Sequence, residues 1–155
     1  MTYWIKPIGS TDAKINKNQV WSSKFQEQHF HRRPVGIQTG DILITYAVVH
    51  QLLEGVYKVI GNTFREASKE QKIKDSWRER YPYIWDTENI SQEYSANWST
   101  YNLNLFDLEK EFLRQGNKIT PNASNSLNQI QFGVDKLKIS EEFNQFLIET
   151  MNMKL

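Results

Sequence analysis

The sequence predicts an α+β fold, a mostly antiparallel curved sheet forming a small, partly closed barrel with peripheral helices and a C-terminal helix. Three observations predict it. Short β-branched and aromatic runs are separated by turn-rich or charged stretches, without the strand–helix alternation of a parallel sheet. Two of these runs, ILITY and LLEGVYKV, follow closely on one another and read as a central hairpin. The last long segment, ISEEFNQFLIETMN, has the apolar spacing of a helix with one face on a sheet. At 155 residues, the chain reads as a single domain spanning 1–155.

Taken in order, TYWIKPI is a β-branched and aromatic run that stops at Pro7 and reads as the first strand. A polar stretch with a potential helix N-cap at Ser10 or Thr11 follows. VWSSKFQEQHFHRRPVG has neither a helical stripe nor alternation and reads as a long loop, the kind that often carries binding residues. The Gly40-Asp41 turn launches the apolar strand ILITY. LLEGVYKV is its hairpin partner, turning near His50 and Gln51, and Gly55 suggests a bulge or a close backbone approach. Residues 65 to 80 are strongly charged around Trp77. YPYIWD is a further strand, and NISQEYSANWSTYNLNL is expected to hold another before a helix from about Leu105 to Gln115. In the closing helix Ser140 is the N-cap, Glu141 and Glu142 occupy the first turn, and Phe143, Phe146, Leu147 and Met151 share one face.

Composition narrows the function. With 39% hydrophobic and 24% charged residues this is a globular chain. It has no Cys, which excludes disulfides, thiolate metal sites and thiol catalysis and fits a reducing, cytoplasmic setting. MTYWIKPIGS lacks the pattern of a signal peptide, and the apolar stretch from Ile42 to Val49 is too short to span a bilayer. The net charge of +1 implies weak long-range attraction to nucleic acid. Five Trp in so short a chain invite a search for exposed stacking surfaces. His29 and His31 could be two metal ligands, but no third ligand stands at convincing spacing, so neither metal nor cofactor is expected. There is no P-loop, dinucleotide fingerprint or nucleophile elbow, and no pair of carboxylates stands out for acid–base work.

Four segments, in order, resemble the EVE and YTH families of the PUA-like superfold, with EVE the nearer. TYWIKP resembles their first strand, and VWSS their loop with a Trp followed by a small hydroxyl residue. GDILITY with LLEGVYKV resembles their central hairpin, and SLNQIQFGVDKLKISEEFNQFL the closing segment of EVE domains. The resemblance covers most of residues 2 to 148 and rests on order and spacing. It implies a module that binds RNA or DNA carrying a modified, for example methylated, base, with no membrane partner. Related domains also occur fused to nucleases.

On that resemblance, Trp21 matches the cage Trp, with Ser22 and Ser23 placed to hydrogen-bond the base edge. Trp77, among charged neighbours, matches a second wall, and Tyr46 or Trp4 would complete the cage. Alone, each of these rings would more ordinarily be a core or loop anchor. Trp85 reads as core, and Trp98 has no counterpart. Lys24, Arg32, Arg33, Arg78 and Arg80 are the candidate phosphate contacts beside the two Trp walls. Two rivals stay open. One is an RNA-directed hydrolase similar to the ASCH branch, using Lys24, His29, His31 or Arg33. The other is a pocket for a free modified nucleoside.

Overall fold

A computed structural model describes residues 1–9, 15, 26–121, 127 and 135–152. Among these residues, seven strands run β1 (Tyr3–Ile8), β2 (Glu27–Phe30), β3 (Ile42–Ala47), β4 (Leu52–Val59), β5 (Arg65–Glu66), β6 (Tyr83–Asn89) and β7 (Leu137–Ile139). The helices are α1 (Lys69–Lys74), α2 (Trp77–Arg80), α3 (Gln92–Ser95), α4 (Trp98–Tyr101), α5 (Leu105–Arg114) and α6 (Glu141–Asn152).

The strands form one sheet in the order β2-β6-β4-β3-β1-β7, with β5 pairing alongside β6. All pairs are antiparallel except β1 with β3. The two ends of the sheet approach each other through side chains. The Lys6 ammonium of β1 lies 4.9 Å from the Phe30 ring centroid of β2. The Arg32 backbone N–H, just past β2, donates to Asp135, just before β7, at 2.8 Å. The sheet is therefore curled, but no strand ladder closes it among the described residues.

Strand alternation divides the core in two. Ile5, Ile42, Ile44 and Tyr46 point one way, into a core shared with Trp98, Leu105, Phe112, Phe143 and Leu147 of the helices. Trp4, Leu43, Tyr57, Val59 and Trp85 point the other way, into the curl, where Phe30 and Ile37 meet them. The helical side follows the expected spacing: on α6, Phe143, Leu147 and Met151 are buried. Ser140 accepts from the Phe143 N–H at 3.1 Å, capping the helix as its sequence indicates.

Several local expectations need correction. The segment read as one long loop contains β2, whose four residues are extended because they pair with β6 along Glu27↔Asp86 to Phe30↔Tyr83. The strand expected between Asn89 and Leu105 is instead the one-turn helices α3 and α4, with Tyr94 and Trp98 anchoring them in the core. β1 continues through Pro7 to Ile8 in register with Ala47. The charged stretch holds α1, capped by reciprocal bonds between Ser68 and Gln71.

The central hairpin turns between Ala47 and Leu52, as expected, with Val49 and Gln51 at positive φ. Its register shifts between Thr45 and Tyr46, so that Thr45 faces Gly55, Tyr46 faces Leu53, and Glu54 is the extra residue of a bulge. Space, not backbone conformation, requires glycine at 55: a Cβ there would stand 2.3 Å from Ser95 Oγ and 3.0 Å from Ser91 Oγ.

Candidate nucleic-acid interface

The β2–β6 pair brings two cationic and aromatic segments together. Because Phe30 pairs with Tyr83, the residues after β2 lie beside those that lead into β6. The contact is fixed by His31 Nδ1, 2.8 Å from the Arg80 carbonyl. Trp77, on the single turn of α2, keeps 43% of its surface exposed. Its ring meets His29 edge-on, with centroids 4.6 Å apart, and the Arg78 guanidinium lies 5.1 Å from its centroid. Arg78 Nε is also 3.3 Å from Asp75, an ion pair without hydrogen-bond geometry. Arg80 sits over Tyr81 at 5.5 Å and Arg33 over Tyr83 at 6.0 Å.

Burial, with several cations nearby, sets the electrostatics at this end. Burial holds the His29 imidazole down at about 4, assisted by the charges of Lys6, Arg78 and Arg65. His29 is therefore neutral at ordinary pH. Among the described residues, no group meets its buried Nδ1 in good hydrogen-bond geometry, although the Tyr81 backbone lies close enough to favour the protonated ring.

The inside of the curl is unusually polar. Lys6, Gln28, Thr45, Glu54, Thr87 and Asn89 are all buried. Thr45 Oγ1 donates to Glu54 at 2.7 Å, and the Tyr57 hydroxyl lies 2.7 and 2.9 Å from its two oxygens. Burial pushes the Glu54 carboxyl up to about 7, against the pull of these hydrogen bonds. Burial likewise lowers Lys6 to about 8, partly offset by Asp135. The bulge delivers Glu54 inward, and strand alternation puts Lys6 on the same side as Trp4.

The structure places the sequence candidates in different surroundings. Trp77, Arg78, Arg80, Arg32 and Arg33 come together at one end of β2–β6. Trp4 and Tyr46 do not join them. Trp4 is buried inside the curl, its Nε1 donating to Asp41 at 3.1 Å. Tyr46 is buried in the helix-covered core against Phe106, centroids 5.8 Å apart, and burial raises its phenol to about 12. Trp77 touches His29, which points away from Phe30 and Trp4 across β2. Trp21, Ser22, Ser23 and Lys24 lie outside the described residues.

Sequence reasoning missed Lys6, Lys136 and Lys138. The last two hold their ammoniums 5.0 and 5.5 Å from the Trp4 ring centroid. Alternation in TYWIKPI was the available signal for Lys6. Nothing local marked the other two, because their relation to Trp4 exists only through the pairing of β1 with β7.

No protein-family model matches the chain, and no curated protein matches it in sequence. Solved structures do match in fold. A hypothetical protein from Leishmania major aligns over 99% of this chain and 96% of its own, with a TM-score of 0.60 and 11% identity. The human THYN1 protein, solved in complex with 5-methylcytosine-containing DNA, aligns over 97% of this chain and 98% of its own, with a TM-score of 0.51 and 9% identity. The architecture is thus the α+β, PUA-like class that the sequence resemblance implied. Among the described residues, no helix is long and apolar enough to cross a membrane.

Proposed function

We propose that this chain is a nucleic-acid-binding module, not an enzyme, that recognises a flipped, modified base in RNA or DNA. In this reading Trp77 is one wall of the base site and Trp21 the other, with Ser22 and Ser23 at the base edge. Lys24, Arg32, Arg33, Arg78 and Arg80 hold the flanking phosphates. Trp4 and Tyr46 support the scaffold from its two cores. The observation that carries the proposal is the exposed indole of Trp77 set among arginines at one end of the sheet. The likeness in fold to a protein solved with methylated DNA supports it.

The physical logic is that a methylated base offers a flat π face and an apolar methyl, and aromatic walls reward both. Stacking contributes roughly 1–3 kcal/mol per base, and extrusion costs a few kcal/mol, so two walls offset one flipped base. The test is fluorescence anisotropy with oligonucleotides carrying 5-methylcytosine or N6-methyladenine and their unmodified counterparts. Trp77→Ala is expected to weaken binding about 5- to 150-fold, the equivalent of one stacking contact, while Trp77→Phe retains most of it. Unchanged binding by Trp77→Ala would remove Trp77 from the site. Cleavage of RNA abolished by His31→Ala would replace the reader with a hydrolase.

A further inference from the structure

Three of the cations that the sequence clusters near Trp77 are engaged by neighbouring acids. Arg65 pairs with Glu27 at 3.0 Å and Asp86 at 2.7 Å, Lys72 with Glu66 at 3.6 Å, and Arg78 with Asp75 at 3.3 Å. Lys136 and Lys138 are different. Both ammoniums lie within cation–π distance of a single ring, that of Trp4, and neither forms an ion pair among the described residues. The adjacent carboxylate, Asp135, accepts the Arg32 N–H at 2.8 Å and so ties the loop carrying Arg32 and Arg33 to the start of β7. Burial holds the Lys136 ammonium below the ordinary lysine value against the pull of Asp135, with the charge of Lys138 a smaller contribution. Both ammoniums are thus held at one ring by cation–π contacts, and the Asp135 carboxylate beside them is already engaged by the Arg32 N–H.

The seam where the curled sheet's ends meet therefore has a cationic lip on each side, Arg32 and Arg33 on one and Lys136 and Lys138 on the other. A single polyanionic strand relieves this crowding along its length, as an isolated carboxylate cannot. We infer that the phosphate backbone of the bound strand crosses this seam, with Lys136 and Lys138 taking phosphate oxygens at the rim of Trp4. The inference rests on the nucleic-acid reading above and adds a binding element remote in sequence from Trp77.

The experiment measures the dissociation constant of the full chain for a labelled single-stranded oligonucleotide, with and without 5-methylcytosine, from 50 to 200 mM salt. Each phosphate contact adds about 0.7 to the slope of log K against log salt for a single strand, so Lys136→Gln/Lys138→Gln is expected to lower the slope by about 1.4. The ratio of modified to unmodified affinity should not change. Lys136→Arg/Lys138→Arg should keep the wild-type slope, and Lys69→Gln/Lys74→Gln, on α1, should also leave it alone. A wild-type slope in the Lys136→Gln/Lys138→Gln variant overturns the inference even where modified bases are preferred. Equal affinity for both oligonucleotides, with the slope still governed by these two lysines, overturns base reading and leaves the phosphate path standing. Absence of binding by the wild-type chain overturns both.

Discussion

Replacing Glu54 by Gln tests whether a carboxyl in the curl titrates near neutrality. Glu54 is fully buried at the bulge, and its folded pKa of about 7 compares with an ordinary value of 4.5. An acid whose pKa is raised by folding binds its proton more tightly in the native state. It therefore costs nothing below pH 4.5, and stability falls as pH rises from there through 7. Above that window the buried carboxylate costs about 3 kcal/mol, at 1.36 kcal/mol per pKa unit. Gln stays neutral throughout, and the Thr45 and Tyr57 hydroxyls can each donate or accept, so both ends of the amide find partners. His29 acts in the opposite sense, since its depressed pKa costs stability as pH falls from 6.5 toward 4. It is unchanged between the two proteins and cancels in their difference. Urea unfolding at pH 5 and pH 8 in matched salt is the assay. The stability of Glu54→Gln relative to wild type should rise by about 2.5 kcal/mol between the two pH values, since a small part of the cost is already present at pH 5. A relative stability that is the same at both would refute the titration of Glu54, and a fall would refute the sign.

Two further perturbations probe the same hairpin. Gly55→Ala should destabilise by about 1–3 kcal/mol in urea unfolding, as overpacked cores do, because the new methyl meets Ser95 Oγ. Combining it with Ser95→Ala should recover part of the loss, and no recovery would mean that this contact is not the cause. Val49 is half-exposed at the turn with φ of 78°, a conformation that a β-branched residue resists. Val49→Gly is expected to stabilise by about 0.5–1 kcal/mol, the left-handed penalty of roughly 1–2 kcal/mol less the added chain entropy, as a raised urea midpoint with unchanged m-value.

The parts of the fold legible in the sequence are those where side-chain period coincides with burial. ILITY and LLEGVYKV declared themselves because their side chains are buried on both faces, and α6 because Phe143, Leu147 and Met151 recur on one. β2 was not legible because its inward residues are Gln28 and Phe30, a pair that gives no apolar alternation. The capping pattern of Ser68 and Gln71 was available to reveal α1, and the charges around it obscured the signal. The site divided in the same way. The charged neighbours of Trp77 marked a place where an indole stays exposed. The burial of Trp4 and Tyr46 on opposite sides of the sheet depends on which face of each strand turns inward, which the aromatic character of the strands left open.

The position of β1 has a consequence for how the chain reaches its folded state. Residues 3–8 lie between β3 and β7, not at a margin of the sheet, and the β7 ladder is made to β1. The β3–β4 hairpin can form as soon as its own residues leave the ribosome, but β1 then has to wait. One of its flanks stays unpaired until Leu137–Ile139 emerges more than a hundred residues later. Such non-local closure is slow, and an unpaired strand flank is open to wrong partners meanwhile. The last ladder to be made is therefore the one that joins the first strand of the chain to its last, and the seam with Lys136 and Lys138 exists only once it has formed.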